Sequence, residues 1–319
     1  MTLRPSGVSS VAVQPQSASS PEIVQEPKVS VVIVSWNCVE ALRRCLVALN
    51  ASLQRDRLEV LVIDAGSHDG SEQVDAEFHN VTVLRLPRNF GKTRARNIGI
   101  RTARAELILF LDPWVEVAPG TVMALAAALE TDSGSAAAIP CLFDTAGQPA
   151  PNAGQLPDRL ALVAACRANT DLPLGTQAAG GVELASDAAL LVRKSFMRGT
   201  NFLDEKRYSE FWAELELFWG MHSAGKQVLI VAAPATLHQV QTSIPIPRSE
   251  EALLAADRVA GAASFISKHD GWSAMFSFIV GQLFSALGAA FREPGYGLRL
   301  AMGILSGSRI DGTQGGELG

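Results

Sequence analysis

Apolar and polar positions follow two rhythms along this chain, and the switches between them divide it into elements. Residues 29–35 (VSVVIVS) are β-branched and apolar at successive positions, as expected of a parallel strand covered on both faces. Leu42, Cys45, Leu46 and Leu49 then recur at helical spacing with charges between them. Residues 58–64 (LEVLVID) repeat the strand pattern, the run Ser67-His68-Asp69-Gly70-Ser71 marks a turn into a further helix, and residues 81–86 give a third strand. A loop over 87–91 leads to a basic helix starting near Lys92. Residues 106–111 (ELILFL) form a fourth strand, and Pro119-Gly120 open the next helix. From 132 to 171 Ala, Gly, Pro and Asp dominate, with one strand expected around 137–143 and a loose loop after it. Residues 182–193 read as strand and turn, 210–224 as a helix, 227–232 as a strand with His238 beyond it, and 249–268 and 272–291 as helices.

Strands alternating with helices predict an α/β fold: a mostly parallel central sheet with helices on both faces and a helical C-terminal extension. Ligands of such sheets bind at the carboxyl ends of the strands. Polar residues gather at those ends: Ser35 and Asn37, then Asp64, then Asn89 and Gly91, then Asp112. Any one of them could be a turn former, but four successive strand ends carrying them point to a site. The expected organisation is a disordered leader over 1–27, one domain over 28–240, the extension over 241–305 and a Gly-rich flexible tail over 306–319. The leader is rich in Ser, Pro, Gln and Val, has no long apolar run, and does not read as a secretory signal.

With 48% apolar and 18% charged residues, the 319-residue chain can bury a full core. Its net charge of −5 gives no sign of the basic face of a nucleic-acid binder. Cys38, Cys45, Cys141 and Cys166 form no CxxC pair; they read as buried small apolar residues of a cytoplasmic protein, with Cys38 and Cys45 on one helix, and zinc is not expected. A dinucleotide-binding domain needs a Gly-rich turn after its first strand, whereas here that strand runs into Trp36-Asn37-Cys38-Val39-Glu40.

Five segments, VVIVSWN (31–37), VIDAGSHDGS (62–71), NFGKTRARNIGI (89–100), LFLDPWVEVAPG (109–120) and FLDEKRYSEFWAELELFWGMHSAGKQVLIV (202–231), stand in an order and spacing that resemble the inverting family-2 glycosyltransferases of GT-A fold, rhamnosyltransferase-like members included. The resemblance runs over roughly residues 28–240. It implies that Ser35, Trp36 and Asn37 touch the donor's base, and that Asp64, an acceptor-only carboxylate, holds the base or ribose. It places Gly91, Lys92, Arg94 and Arg96 around the diphosphate at a helix N-terminus, without saying which cation points inward. Asn97 is expected to brace that loop, and Asp69 to cap the helix that follows it.

The chain departs from the family pattern twice. Where the family carries a D-x-D metal motif, the sequence reads Asp112-Pro113-Trp114, and an indole offers Mg²⁺ or Mn²⁺ no ligand atom. Asp112 and His238 remain as candidate metal ligands, with Glu116 a weaker substitute, and the site is as well suited to working without a metal. The family's E-D-x-D stretch falls on Ala213-Glu214-Leu215-Glu216, which puts Glu214 where the catalytic base would stand. Without a metal, the leaving diphosphate would need Lys92, Arg94, Arg193 or Lys194. The resemblance thus implies transfer of a sugar from a nucleotide-diphosphate donor, with inversion, to a hydroxyl of a glycan or lipid-linked acceptor in cell-surface polysaccharide synthesis. The rival reading, favoured by Trp114 and Ala213, is a non-catalytic relative that binds a sugar nucleotide or a partner protein.

Residues 271–291 carry no formal charge over a length that could span a bilayer, yet Ser273, Ser277, Gln282 and Ser285 interrupt them. Met275, Phe276, Ile279, Leu283, Phe284 and Leu287 fall at helical spacing, which predicts an amphipathic helix packed on the domain or lying on a membrane surface. Arg292, Arg299 and Arg309 nearby would suit anionic lipid.

Overall fold

The computed structural model describes residues 26–176, 182–240 and 243–310. The leader as far as residue 25 and the tail beyond 310 lie outside them. The described elements are, in order, β1 (Val29–Ser35), α1 (Val39–Asn50), β2 (Leu58–Asp64), β3 (Thr82–Arg85), α2 (Lys92–Thr102), β4 (Leu107–Leu111), β5 (Val115–Val117), α3 (Thr121–Thr131), β6 (Ser135–Phe143), β7 (Ala153–Gly154), α4 (Arg159–Ala168), β8 (Leu184–Ala185), β9 (Ala189–Arg193), α5 (Lys194–Gly199), α6 (Ala213–Ser223), β10 (Gln227–Leu237), α7 (Arg248–His269), α8 (Trp272–Ala290) and α9 (Pro294–Ser306).

Eight strands make one sheet in the order β3-β2-β1-β4-β9-β6-β10-β5, and β7 pairs separately with β8. The pairs β1–β2, β1–β4, β2–β3 and β6–β10 are parallel; β9 runs antiparallel to β4 and β6, and β5 antiparallel to β10. Alternation along the strands builds two cores. Val31, Ile33, Val60, Val62 and Leu109 pack with α1 and α3 on one face. Val32, Leu61, Ile63, Ile108 and Phe110 join α2, α4 and α6 on the other, and that second core continues into α7, α8 and α9. The sheet is thus mostly parallel with helices on both faces, as its alternating pattern predicts.

The C-terminal helices are bonded into the domain. Trp212 Nε1 donates to the Arg258 carbonyl at 2.7 Å, and the Arg258 guanidinium lies 3.8 Å from the Phe211 ring centroid. Residues 306–310, expected to be mobile, are tied down as well: Ile310 N–H donates to Asp257 Oδ1 at 3.1 Å, and Ser209 Oγ donates to the Ile310 carbonyl. Other local expectations shift. The turn after β2 holds only a short 3₁₀ helix, Ser71–Ala76, and Cys38 precedes α1 where it was expected within it. The four cysteines are unpaired.

Candidate functional site

The strand register sets the site. Ser35 lies opposite Asp64, and Val32 lies opposite Phe110, so Asp64 and Asp112 reach the same sheet edge with β1 between them. Two strand spacings put their backbones about 10 Å apart. Because β9 is reversed, its N-terminal end meets this edge too: the Asp112 N–H donates to the Ala188 carbonyl at 2.8 Å, which brings Asp187 beside Asp112.

Arg96, on the inward face of α2, is the centre of what gathers there. Its guanidinium is 2% exposed and lies 4.9 Å from the ring centroid of Phe110. It donates to Glu214 Oε1, to Asp187 Oδ2 at 2.8 Å and to Asp112 Oδ1 at 3.2 Å. Lys92, one turn earlier, places Nζ 2.7 Å from Asp187 Oδ2. Three carboxylates therefore share two cations. Burial opposes charge on both cations, but Asp187 and Glu214 more than offset it, and both are held well above their ordinary values. Burial likewise works against Asp187, and Lys92 and Arg96 overcome it, so its carboxyl sits below the usual range. Asp112 goes the other way: burial, then the Asp187 charge, push it up to about 6.

Glu214 sits in the first turn of α6, where the helix dipole favours a carboxylate. The helix is entered through Trp212, a non-glycine residue at φ 75°, in a region that side chains with a Cβ seldom occupy. The N-terminus of α2, expected to meet a phosphate, is already capped by the protein. Lys92 N–H donates to Glu210 Oε2 at 2.9 Å and Thr93 N–H to the Ser209 carbonyl at 2.9 Å. Burial pushes Glu210 up to about 7. Gly91 stands at φ 87°, and a Cβ there would come 2.5 Å from Ser209 Oγ. Its glycine is thus required by the approach of the 209–210 segment, where an approach to ligand had been expected.

The other predicted residues divide. Asp64 is buried, with Oδ2 accepting from Ser67 N–H at 3.2 Å, while Oδ1 is buried without a partner; burial raises its pKa. An unpartnered acceptor at a strand tip suits a base or ribose donor. Asn37, at φ 48°, ties two loops together: its N–H donates to Ser67 Oγ and its Oδ1 accepts from His68 N–H, each at 3.0 Å. Ser35 is fully buried with Oγ 3.4 Å from Cys38 Sγ. Asp69 caps the turn at Ser71 and also accepts from Val39 N–H, the first residue of α1. Asn97, expected to brace the 87–91 loop, instead ties α2 to the 203–205 segment: its Nδ2 donates to the Leu203 carbonyl and to Glu205 Oε2, each at 2.8 Å, and its Oδ1 accepts from Leu203 N–H at 3.1 Å.

Several expected cations lie elsewhere. Arg94 is exposed and stacks outward, 4.6 Å from the Phe90 ring centroid, so it does not join Lys92 and Arg96. Arg193 donates to the backbone carbonyls of Ser135, Leu129 and Asp132, and Lys194 Nζ to the Ala103 carbonyl. Glu216, two residues beyond Glu214, faces away and accepts from Tyr208, Lys268 and His269.

The metal candidates are turned apart. Asp112 faces Arg96, whereas His238 Nε2 lies 2.7 Å from Glu116 Oε1, off the direction of a hydrogen bond. Trp114 fills the position of a second carboxylate, with its Nε1 buried and unpartnered. Among the described residues no three His, Cys, Asp or Glu side chains converge as a ligand set. This donor set does not fit a divalent cation: one acid is held by a guanidinium, and an indole stands in for the other.

Asp187 and Glu210 were not singled out from the sequence. The reversal of β9 that delivers Asp187 leaves no local mark in ASDAALLVR, and Glu210 precedes α6 in a stretch that reads as ordinary acidic helix.

Residues 30–151 match the sequence model of Glycosyl transferase family 2. The chain is 34% identical over 91 residues to glycosyltransferase AglE of Haloferax volcanii, covering 27% of this chain and 30% of that protein. It is 32% identical over 95 residues to a cholesterol galactosyltransferase of Borreliella burgdorferi, covering 28% of this chain and 26% of that one. The matched part thus spans about a third or less of these relatives. Among solved structures, S. aureus TarS 1–349 aligns with a TM-score of 0.51 at 14% identity, covering 88% of this chain and 90% of its own. GalNAc-T7, solved with UDP, GalNAc and Mn²⁺, aligns with a TM-score of 0.55 at 16% identity, covering 72% and 47% respectively. These two likenesses speak for the fold alone. Strand-end chemistry, sheet order and sequence match agree: residues 30–151 carry a glycosyl transferase family 2 match, and the chain has the GT-A fold.

Proposed function

We propose that this site transfers a sugar from a nucleoside-diphosphate donor to a hydroxyl, with inversion. The observation that supports the reading most is the sharing of Arg96 by Asp112 and Glu214, which puts a donor-side acid and a candidate base around one guanidinium. Asp64, through its unpartnered Oδ1, would hold the base or ribose. The diphosphate would meet Lys92 Nζ and the Arg96 guanidinium, since the N-terminus of α2 is capped by Glu210 and Ser209.

The charge balance gives a sequence of events. The two cations are already matched by three carboxylates, so an arriving diphosphate competes with Asp187 and Glu214 for them. Binding then draws Arg96 toward phosphate and releases Glu214. The freed carboxylate takes the acceptor's hydroxyl proton as that oxygen attacks the anomeric carbon. The bond to the diphosphate breaks on the opposite face, and its electron pair leaves with the phosphate, neutralised by Lys92 and Arg96. No step here is routed through a metal.

The acceptor read from the family resemblance is a glycan or lipid-linked hydroxyl of cell-surface polysaccharide, made at the cytoplasmic side of a membrane. Calorimetric titration with UDP-, GDP- and dTDP-sugars, with Mn²⁺ and with chelator, tests the donor site; binding is expected with at least one donor and unchanged by chelation. Glu214→Gln should keep that binding and lose transfer by roughly 10²-fold or more. Binding without turnover in the unaltered chain would instead favour a non-catalytic sugar-nucleotide binder. Absence of binding to every donor would leave only a partner-binding role.

A further inference from the structure

The hairpin of α8 and α9 buries only one side. On α8, Ala274, Phe278, Gln282 and Ala286 recur every four residues and face the domain, with Gln282 Nε2 donating to the Val163 carbonyl of α4 at 3.4 Å. Half a turn away lies an open stripe: Trp272 is 75% exposed, Phe276 60%, Phe284 72% and Phe291, just past the helix, 93%. α9 repeats the arrangement, with Gly297, Ala301 and Ile304 inward and Leu298, Met302 and Leu305 outward. Gly297 sits so close to the backbone of Ala290 that a Cβ would come 2.3 Å from its nitrogen, so the two helices form one unit. Scattered exposed apolar residues need no explanation, but a continuous stripe of large aromatics about 28 Å long, the length of α8, does.

Charge says what covers it. Residues 271–310 carry Arg292, Arg299 and Arg309 against Glu293 alone, in a chain whose net charge is −5. Arg292, in the turn between the two helices, and Arg299, in the second turn of α9, are both exposed. Arg299, Arg248, Tyr296 and Glu293 line a cleft of about 500 Å³ there. Arg167 of α4 reaches to within 3.6 Å of where a Cβ on Gly281 would be.

Spanning is also disfavoured. At 19 residues, with a mean hydropathy of 1.5 over its most apolar 18, α8 has the length and composition to cross a bilayer. Its inner face, however, is packed on the domain, and α9, at about 20 Å, is too short to return across a core of about 30 Å.

We propose that the outer face of α8 and α9 seats the domain, in plane, on an anionic lipid bilayer. Trp272, Phe276, Phe284 and Phe291 enter the boundary between headgroups and acyl chains, and Arg292 and Arg299 lie against lipid phosphates. This goes beyond the transfer reaction, and its test uses no donor, so either reading can fail alone.

The test is sedimentation of the full chain with phosphatidylcholine vesicles, with and without phosphatidylglycerol. Binding is expected on the anionic vesicles and should fall as salt is raised. Arg292→Gln or Arg299→Gln should weaken it about fivefold each. The double variant Phe276→Glu, Phe284→Glu should abolish it. As a check made on the unaltered chain, acyl-brominated anionic lipid should quench part of its fluorescence, and Trp272→Phe should remove that part. Failure to bind anionic vesicles would overturn the proposal. So would binding indifferent to the Phe276→Glu, Phe284→Glu change, or a dimer in solution that this double variant dissociates.

Discussion

Arg96 decides how the site behaves at the scale of single residues. Its guanidinium is the group that keeps Asp112, Asp187 and Glu214 from facing one another unneutralised. Arg96→Met should therefore cost about 3 kcal/mol, since breaking a buried charge cluster leaves its partners uncompensated. The loss should shrink as pH is lowered, because protonated carboxyls no longer repel, and urea unfolding at two pH values would measure both effects. Equal loss at both would argue that Arg96 acts mainly through its packing on Phe110. The residue types of the site were legible in the sequence, but their pairing was not. Lys92, Arg94 and Arg96 look alike in KTRAR, and only the seating of α2 on the sheet turns Arg96 in and Arg94 out onto Phe90.

Among elements, the start of α2 carries the most consequence. Glu210 caps it from a segment more than a hundred residues away in sequence, at a position where burial raises the acid from an ordinary 4.5 to about 7. The sign follows directly. The folded chain holds this proton more tightly than the unfolded chain, so the residue favours folding most below pH 4.5, and that advantage is lost as pH rises toward 7. Glu210→Gln keeps an acceptor for the Lys92 N–H and removes the titration. Its melting temperature relative to the unaltered chain should climb between pH 4.5 and 7 and then level off, as scanning calorimetry over that range would show. A constant offset would mean that Glu210 is not protonated in the fold. Elements with strong local patterns, β1, β2, β4, α1, α2 and α7, were legible from apolar spacing. β5, α4 and α9 were not: a three-residue strand has no periodicity to detect, and α4 lies in an Ala-rich stretch whose helical face is settled by packing on α7 and α8.

The whole molecule is held as one body by a few long-range ties, and Asp257 is the clearest. Its Oδ2 accepts from Glu210 N–H at 3.0 Å and its Oδ1 from Ile310 N–H at 3.1 Å, so one carboxylate of α7 joins the segment before α6 to the segment after α9. Asp257→Ala leaves two buried donors unmatched, at about 1–3 kcal/mol each. Hydrogen exchange should quicken at the Glu210 and Ile310 amides together, whereas quickening at one alone would mean that the two segments are held independently. The sheet class was readable in advance because alternation of strands and helices is a local signal. The reversal of β9, which brings Asp187 to the site, depends on how distant strands pair.

Ile310 has a practical bearing on anyone handling this protein. Its carbonyl takes the Ser209 hydroxyl, and Ser209 in turn receives the Thr93 N–H at the mouth of α2. Removing Ile310 would therefore free the Ser209 hydroxyl beside the first turn of α2, which carries Lys92. A chain cut before Ile310 should therefore turn over more slowly than one cut just after it, and a kinetic comparison of the two would expose the difference.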